Sequence, residues 1–396
     1  MSKNAEIIFV IDKFNRFSVR ALLCAFEKFF PEIIYRIVHF DNILAENPEN
    51  KLILFSFNTL NHLKYVELSK VLKNKNITVC GGPHPSARPE KMLEFFDAVC
   101  IGEGEYVLKE IVENYLGNTI IKGIYKNNQK VSLDDFDAYP KKTFMFGAIE
   151  IMRGCQYRCK YCQTPSLFPG RLRHRSIENI LENITYSFKR GKKDYRFISP
   201  DAASYMYNNK VNIEAIFNLL SGIKKITEGK SRIFFGSFPS EINPYYVTED
   251  LVKILRDFCH NKRVVIGLQT ASRKQLKNIN RPENIEKVEE SISLFLKYNF
   301  SVDVDFIFGL PYETEETLKE TFEWINKWHS KVRIHSHFFM PLPGSRWENE
   351  TPSIIPEEFE KEIKRLEGKG RIFGQWITQL KISQSIKNKE EIICPI

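Results

Sequence analysis

Residues 148–163 read Ala148-Ile-Glu-Ile-Met-Arg-Gly-Cys155-Gln-Tyr-Arg-Cys159-Lys-Tyr-Cys162-Gln163, and the fold can be worked out from this stretch. Ile149–Met152 is a short apolar run that reads as a buried strand, with Gly154 ending it. Directly beyond stand three cysteines spaced C-x3-C-x2-C. Iron–sulfur clusters are held by thiolates, normally four. Three thiolates in one loop wrap one face of a cubane and leave its fourth iron open to a substrate or cofactor. A structural zinc site would be closed by four ligands, often as two C-x2-C pairs, and no second pair follows. Arg158 and Lys160 lie between the cysteines and argue against a buried core trio. Cys155, Cys159 and Cys162 are therefore expected to hold a [4Fe–4S] cluster.

Downstream, apolar runs at Tyr195–Ile198, Arg232–Gly236, Arg263–Leu268, Val302–Phe308 and Arg333–Phe339 alternate with amphipathic helical patterns. With Ile149–Met152 they make six parallel strands joined by helices, an incomplete (β/α)6 barrel over residues 148–347. Barrel sites lie at the carboxyl ends of the strands. Residues 348–396 read as a helical, basic extension over the open side. Upstream, strands are expected at Ile7–Ile11, Tyr35–Phe40, Leu52–Phe57, Thr78–Cys80 and Ala98–Ile101, with helices around Val19–Phe29 and Leu63–Asn74. This alternation implies an α/β, doubly wound, Rossmann-like domain over 1–116. Its glycine clusters, Gly81-Gly82 and Gly102-Glu103-Gly104, fall at strand carboxyl ends, where such sheets bind ligands. Residues 117–147 read as a linker with a small hairpin.

The chain has 396 residues, enough for two domains, and 43% hydrophobic with 27% charged residues describes a globular protein. Its net charge of +9 is scattered, densest at Arg171–Arg175, Lys189–Lys193 and Lys381–Lys389. Such an excess favours weak attraction to anions. No RNA-binding signature accompanies it, so a small-molecule substrate is expected in preference to nucleic acid. Met1–Asn15 is no signal peptide, and no apolar run approaches the ~20 residues of a membrane span. A cytoplasmic location follows. There the remaining cysteines, Cys24, Cys80, Cys100, Cys259 and Cys394, read first as core thiols. His335 and His337, two apart in a strand, share one face and read as a satisfied interior pair or as metal ligands.

The cysteine loop resembles the signature of the radical S-adenosylmethionine (SAM) superfamily, C-x3-C-x-aromatic-C, with Tyr161 in the aromatic position. The resemblance covers roughly Ala148–Trp347. It implies reductive cleavage of S-adenosylmethionine to a 5′-deoxyadenosyl radical that abstracts hydrogen, with a low-potential donor such as ferredoxin or flavodoxin. It also implies cofactor contacts from Tyr161, Ser199-Pro200-Asp201, Ser237, Glu241, Gln269, Arg281 and the fifth-strand segment containing Phe308. The first half resembles the cobalamin-binding domain that precedes many such barrels, and the whole is similar to an archaeal and thermophile group of B12-binding radical SAM proteins. That resemblance implies cobalamin contacts from Phe14, Ser56, Asn58, Gly81, Gly82, Pro83, His84, Gly102, Glu103 and Gly104. Where cobalamin domains with a histidine ligand carry D-x-H-x-x-G, this chain has Asp12-Lys13-Phe14-Asn15-Arg16-Phe17, so no lower ligand is expected from that motif. The expected activity is methylation of an unactivated carbon. The alternatives are radical chemistry without methylation or cobalamin, a methylthiotransferase with a second cluster on Cys24, Cys80 and Cys100, and a non-catalytic iron–sulfur or RNA-binding protein.

Overall fold

The computed structural model describes residues 6–170 and 172–388, so Arg171, Lys389 and Cys394 lie outside the described residues. Six strands form the first sheet: β1 (Ile7–Ile11), β2 (Tyr35–His39), β3 (Leu52–Ser56), β4 (Ile77–Gly81), β5 (Ala98–Ile101) and β6 (Gly123–Lys126). Their order is β2-β1-β3-β4-β5-β6, all parallel. Side chains alternate between two cores. Ile7, Phe9, Leu52, Leu54 and Val79 pack against the helices Arg16–Phe29 and Gly104–Leu116. Ile8, Val10, Ile53, Phe55 and Cys80 pack on the other face against His62–Leu72. The hairpin expected in 117–147 is replaced by β6, which pairs in parallel with β5.

The second half begins with β7 (Ile149–Glu150), β8 (Met152–Arg153) and β9 (Arg173–His174), followed by β10 (Asp194–Ile198), β11 (Arg232–Phe234), β12 (Arg263–Gln269), β13 (Ser301–Phe308), β14 (Arg333–Phe338) and β15 (Ile372–Gly374). The strands β7, β10 and β11 form one run and β12 through β15 another. A parallel bridge between Ile242 and Ile266 and the hydrogen bond from Val265 N to Gly236 O join them into a partial barrel. The C-terminal extension is not purely helical, because β15 pairs in parallel with β14. Val302, Val304, Phe306 and Phe308 face the outer helices as part of the largest core. Alternation therefore turns Asp303, Asp305 and Ile307 into the lumen, together with Arg263, Val265 and Gly267 of β12. β8 and β9 pair antiparallel, and the cysteine loop is the excursion between them.

Candidate active site

The cysteine loop is held from several sides. Cys162 N donates to Cys159 O at 3.1 Å, Lys160 N to Ile279 O at 3.1 Å, and Trp347 N to Lys160 O at 3.0 Å. Cys159 is buried, Cys155 and Cys162 are half-buried, and none is in a disulfide. Burial pushes the Cys155 thiol up to about 11. The Arg281 guanidinium lies 3.9 Å from Cys159 Sγ and 3.4 Å from the Tyr161 hydroxyl, and donates to Gly267 O at 2.6 Å. Three free thiols on one braced loop beside a fixed cation fit a cluster bound through three thiolates.

Gly267 marks the point where further predicted residues converge. A Cβ there would stand 2.7 Å from Gln269 Nε2, 3.0 Å from Glu241 Oε2 and 3.7 Å from Arg281 Nη2. A register shift between Gly267 and Gln269, with Gln269 at φ +77°, turns the strand end into this cluster. Glu241 opens on the lumen. The surrounding barrel wall, with Asp305 next, pushes its carboxyl up to about 7. Asp201 is buried and raised to about 6 by that burial, although it accepts from Ala203 N at 3.1 Å, Asn243 N at 3.0 Å and the Ser204 hydroxyl. Ser199 Oγ accepts from Asp201 N at 3.1 Å, and Pro200 is exposed beside it.

Two predicted residues are not brought here. Phe308 points out of the barrel, its ring stacked on Phe322 at 5.8 Å, because its neighbours Asp305 and Ile307 set the opposite parity. Ser237 sits lower in the lumen. Phe234 pairs with Arg196 and Ser240 with Ser199, so the surplus residues between Phe234 and Ser240 bulge over Arg196. Sequence reasoning left open the role of His335, whose Nδ1 lies 2.8 Å from Asp305 Oδ1; its ring is 4.2 Å from that of His337. The equal strand parity of 305, 335 and 337 was the available signal.

Between the first sheet and the barrel runs a cavity of about 330 Å³. Ser56, Gly81, Gly82, Pro83, Gly102, Glu103 and Gly104 line it, as do Glu150, Arg153 and Ile198 of the barrel and Leu167 and Phe168 just beyond the cysteine loop. Gly82 has φ +103°, and a Cβ would meet Phe57 O at 2.7 Å, so only glycine fits there. Phe14 is exposed outside the cavity lining, with the Lys13 ammonium 4.9 Å over its ring. Asn58 instead accepts from Leu60 N at 3.0 Å. His84 is buried away from the cavity, stacked on His62 at 4.0 Å and held neutral by burial at about 3. Glu103 is engaged by Arg153 and Arg173, both at 2.7 Å. The pairing of these arginines with the Gly-Glu-Gly-Glu run was missed in the sequence, although their opposite charges were visible. The glycine turns Gly81-Gly82 and Gly102-Glu103-Gly104 let a ligand approach the backbone closely, and no histidine is among the lining residues of this cavity.

The radical SAM superfamily profile matches residues 149–325. An uncharacterized protein of Methanocaldococcus jannaschii is 24% identical over 81% of this chain and 75% of its own length. An uncharacterized methyltransferase of Pyrococcus horikoshii is 26% identical over 71% of this chain and 65% of its own. The ribosomal protein uS12 methylthiotransferase RimO of Alteromonas mediterranea is 23% identical over 74% of this chain and 63% of its own. Among solved structures, the radical S-adenosylmethionine methyltransferase TsrM from Kitasatospora setae, with cobalamin and a [4Fe–4S] cluster bound, superposes with a TM-score of 0.69. That match has 14% identity and covers 87% of this chain and 77% of TsrM, so it speaks for the fold. The three-cysteine loop lies inside the region that matches, so this part of the chain is similar to the radical SAM superfamily.

Proposed function

We propose that the protein is a cobalamin-dependent radical SAM methyltransferase acting on a small molecule. The observation that carries this reading is the placement of the cysteine loop: residues just beyond it form one wall of the glycine-lined cavity, and Arg281 ties it to the Glu241–Gln269 group. Cys155, Cys159 and Cys162 would hold a cluster that would supply the electron for reductive cleavage of S-adenosylmethionine, and the glycine turns of the cleft would hold a cobalamin that would supply a transferable methyl group. Arg281 balances thiolate charge and fixes the loop against β12. Glu241 and Gln269 offer an acceptor and an amide for the amino-acid part of the cofactor, with Asp201 and Ser199 on the adjacent strand end. Tyr161 supplies an aromatic face beside Arg281. Ser56, Gly82 and Gly102 keep the cleft floor open to a close backbone approach. A low-potential one-electron donor, ferredoxin or flavodoxin, completes the system, and a cytoplasmic setting suits it.

The names of relatives also suggest methylthio transfer, which would need a second cluster. The cysteines available for it are Cys80 and Cys100, on adjacent strands, and Cys24, on a helix. Cys80 packs into the core on one face of the sheet, Cys100 against the core on the other face, and Cys24 into a separate cluster with Val131 and Phe136, so the three thiols do not converge on one ion. Methyl transfer is therefore the favoured reading.

The test is anaerobic reconstitution with iron, sulfide and hydroxocobalamin, then an absorption spectrum of the desalted protein and an assay for S-adenosylmethionine cleavage. Cluster and corrin bands together are expected. A cluster without retained corrin would overturn the methyl-transfer reading. Cys159→Ala should abolish cleavage while retaining corrin; cleavage at unchanged iron content would refute the cluster assignment.

A further inference from the structure

A second cavity, of about 650 Å³, opens in the amino-terminal half of the lumen. β12 sets its height. Arg263 and Val265 line it, and Gly267, next on the same face, is where Glu241, Gln269 and Arg281 converge. Two residues of strand put the two places about 7 Å apart. β13 repeats the relation, with Asp303 in the cavity wall and Asp305 above it.

The wall is cationic. Its two carboxylates are already taken: Arg232 grips Asp194 at 2.6 and 2.5 Å, and Arg333 and Arg263 share Asp303 at about 3 Å. Arg16, Arg20, Lys192 and Arg196 remain, and none forms an ion pair with a carboxylate among the described residues. Arg20 is 7% exposed, donates to the Ala148 carbonyl and lies 5.3 Å from the Phe17 ring. Arg196 stacks 4.0 Å over Phe234 and donates to Phe238 O at 3.4 Å, which leaves further N–H groups free. Burial, with Arg20 next, pushes Lys192 down to about 8. The Ser237 hydroxyl oxygen, in the same wall, is buried without a partner. Arg20 is buried and Lys192 half-buried, while Arg16 and Arg196 are exposed at the mouth of the cavity. A buried cation such as Arg20 without a counter-charge is unfavourable, and a bound anion relieves it.

We propose that this cavity binds the phosphate group of a phosphorylated small-molecule substrate and holds the remainder upward toward the Glu241–Gln269 group. The inference rests on the lumen being the reaction chamber. It goes further by naming the substrate class. Four unpaired cations and a free hydroxyl exceed what one carboxylate would neutralise, whereas a phosphate monoester carries close to two charges and three acceptor oxygens. A cavity of this size suits a small molecule.

Inorganic phosphate and citrate, titrated into the purified full chain by calorimetry and thermal shift, test the site. Phosphate should bind saturably, Arg196→Ala and Arg16→Ala should each weaken it at least tenfold, and the exposed Lys225→Ala should leave it within twofold. Loss in Lys225→Ala equal to that in Arg196→Ala would overturn the site as general charge attraction. Citrate binding as tightly as phosphate would overturn the phosphate assignment. S-adenosylmethionine cleavage, assayed on the reconstituted wild type, separates the two levels. Cleavage without phosphate binding sinks this inference alone, and phosphate binding without cleavage sinks the radical reading and leaves the anion site standing.

Discussion

Glu241 opens on the lumen, yet its carboxyl is pushed up to about 7 by the enclosing barrel and by Asp305. In the free protein it is therefore partly protonated at neutral pH. A cationic ligand group placed beside it stabilises the carboxylate and expels the proton. S-adenosylmethionine affinity should then fall as pH drops below 7, by up to about tenfold per pH unit, since binding must displace a proton. Calorimetry on the reconstituted protein between pH 6 and 8 would read this, and Glu241→Gln should flatten the profile. A profile unchanged by that substitution would remove Glu241 from the cofactor site. His335 shifts the same way for a different reason: its hydrogen bond to Asp305 raises its pKa. That pair's stabilisation is complete below about 6.5 and fades as pH rises through the raised value.

The turns at the ends of β4 and β5 look alike in sequence but differ in space. Gly82 has φ +103° and no room, with Phe57 O 2.7 Å from any added Cβ. Gly102 has φ +79° and open space, its nearest neighbour 3.9 Å away. Gly82→Ala should cost on the order of 3 kcal/mol and impair corrin retention, whereas Gly102→Ala carries backbone strain alone, about 1 kcal/mol. Thermal melts of both variants decide the matter, and equal losses would contradict it. At this scale β1 through β5 were legible because each is an apolar run closed by a turn. β6 was not. Gly123-Ile-Tyr-Lys126 alternates half-buried and exposed residues at a sheet edge, and nothing apolar announces it. β15 escaped for a similar reason, being three residues within a polar stretch.

Arg153 links the two halves of the molecule. Its buried guanidinium, two residues before Cys155, meets Glu103 at 2.7 Å and Glu105 at 2.8 Å at the start of the helix Gly104–Leu116, and Glu150 of β7 at 2.7 Å. Arg153→Met would leave buried carboxylates facing one another, a loss of about 3–5 kcal/mol. The expected outcome is a lower melting temperature and reduced iron after reconstitution. An unchanged melting temperature with full iron would show that the contact between the halves does not depend on this network.

The sequence by itself determined that Cys155, Cys159 and Cys162 stand together, because three cysteines within eight residues must share one loop whatever surrounds them. It also determined the parallel α/β architecture of both halves, since strand and helix periods are local. Tertiary structure decided which side of each strand meets the lumen. It turned Phe308 outward and Asp305 inward, dropped Ser237 into the lower cavity, took Glu103 for an ion pair, and buried His84 beside His62. The physical reason is that these outcomes depend on register and on partners distant in the chain. The four unpaired cations of the lower cavity come from Arg16 and Arg20 in one half and Lys192 and Arg196 in the other, and only folding places them around one space.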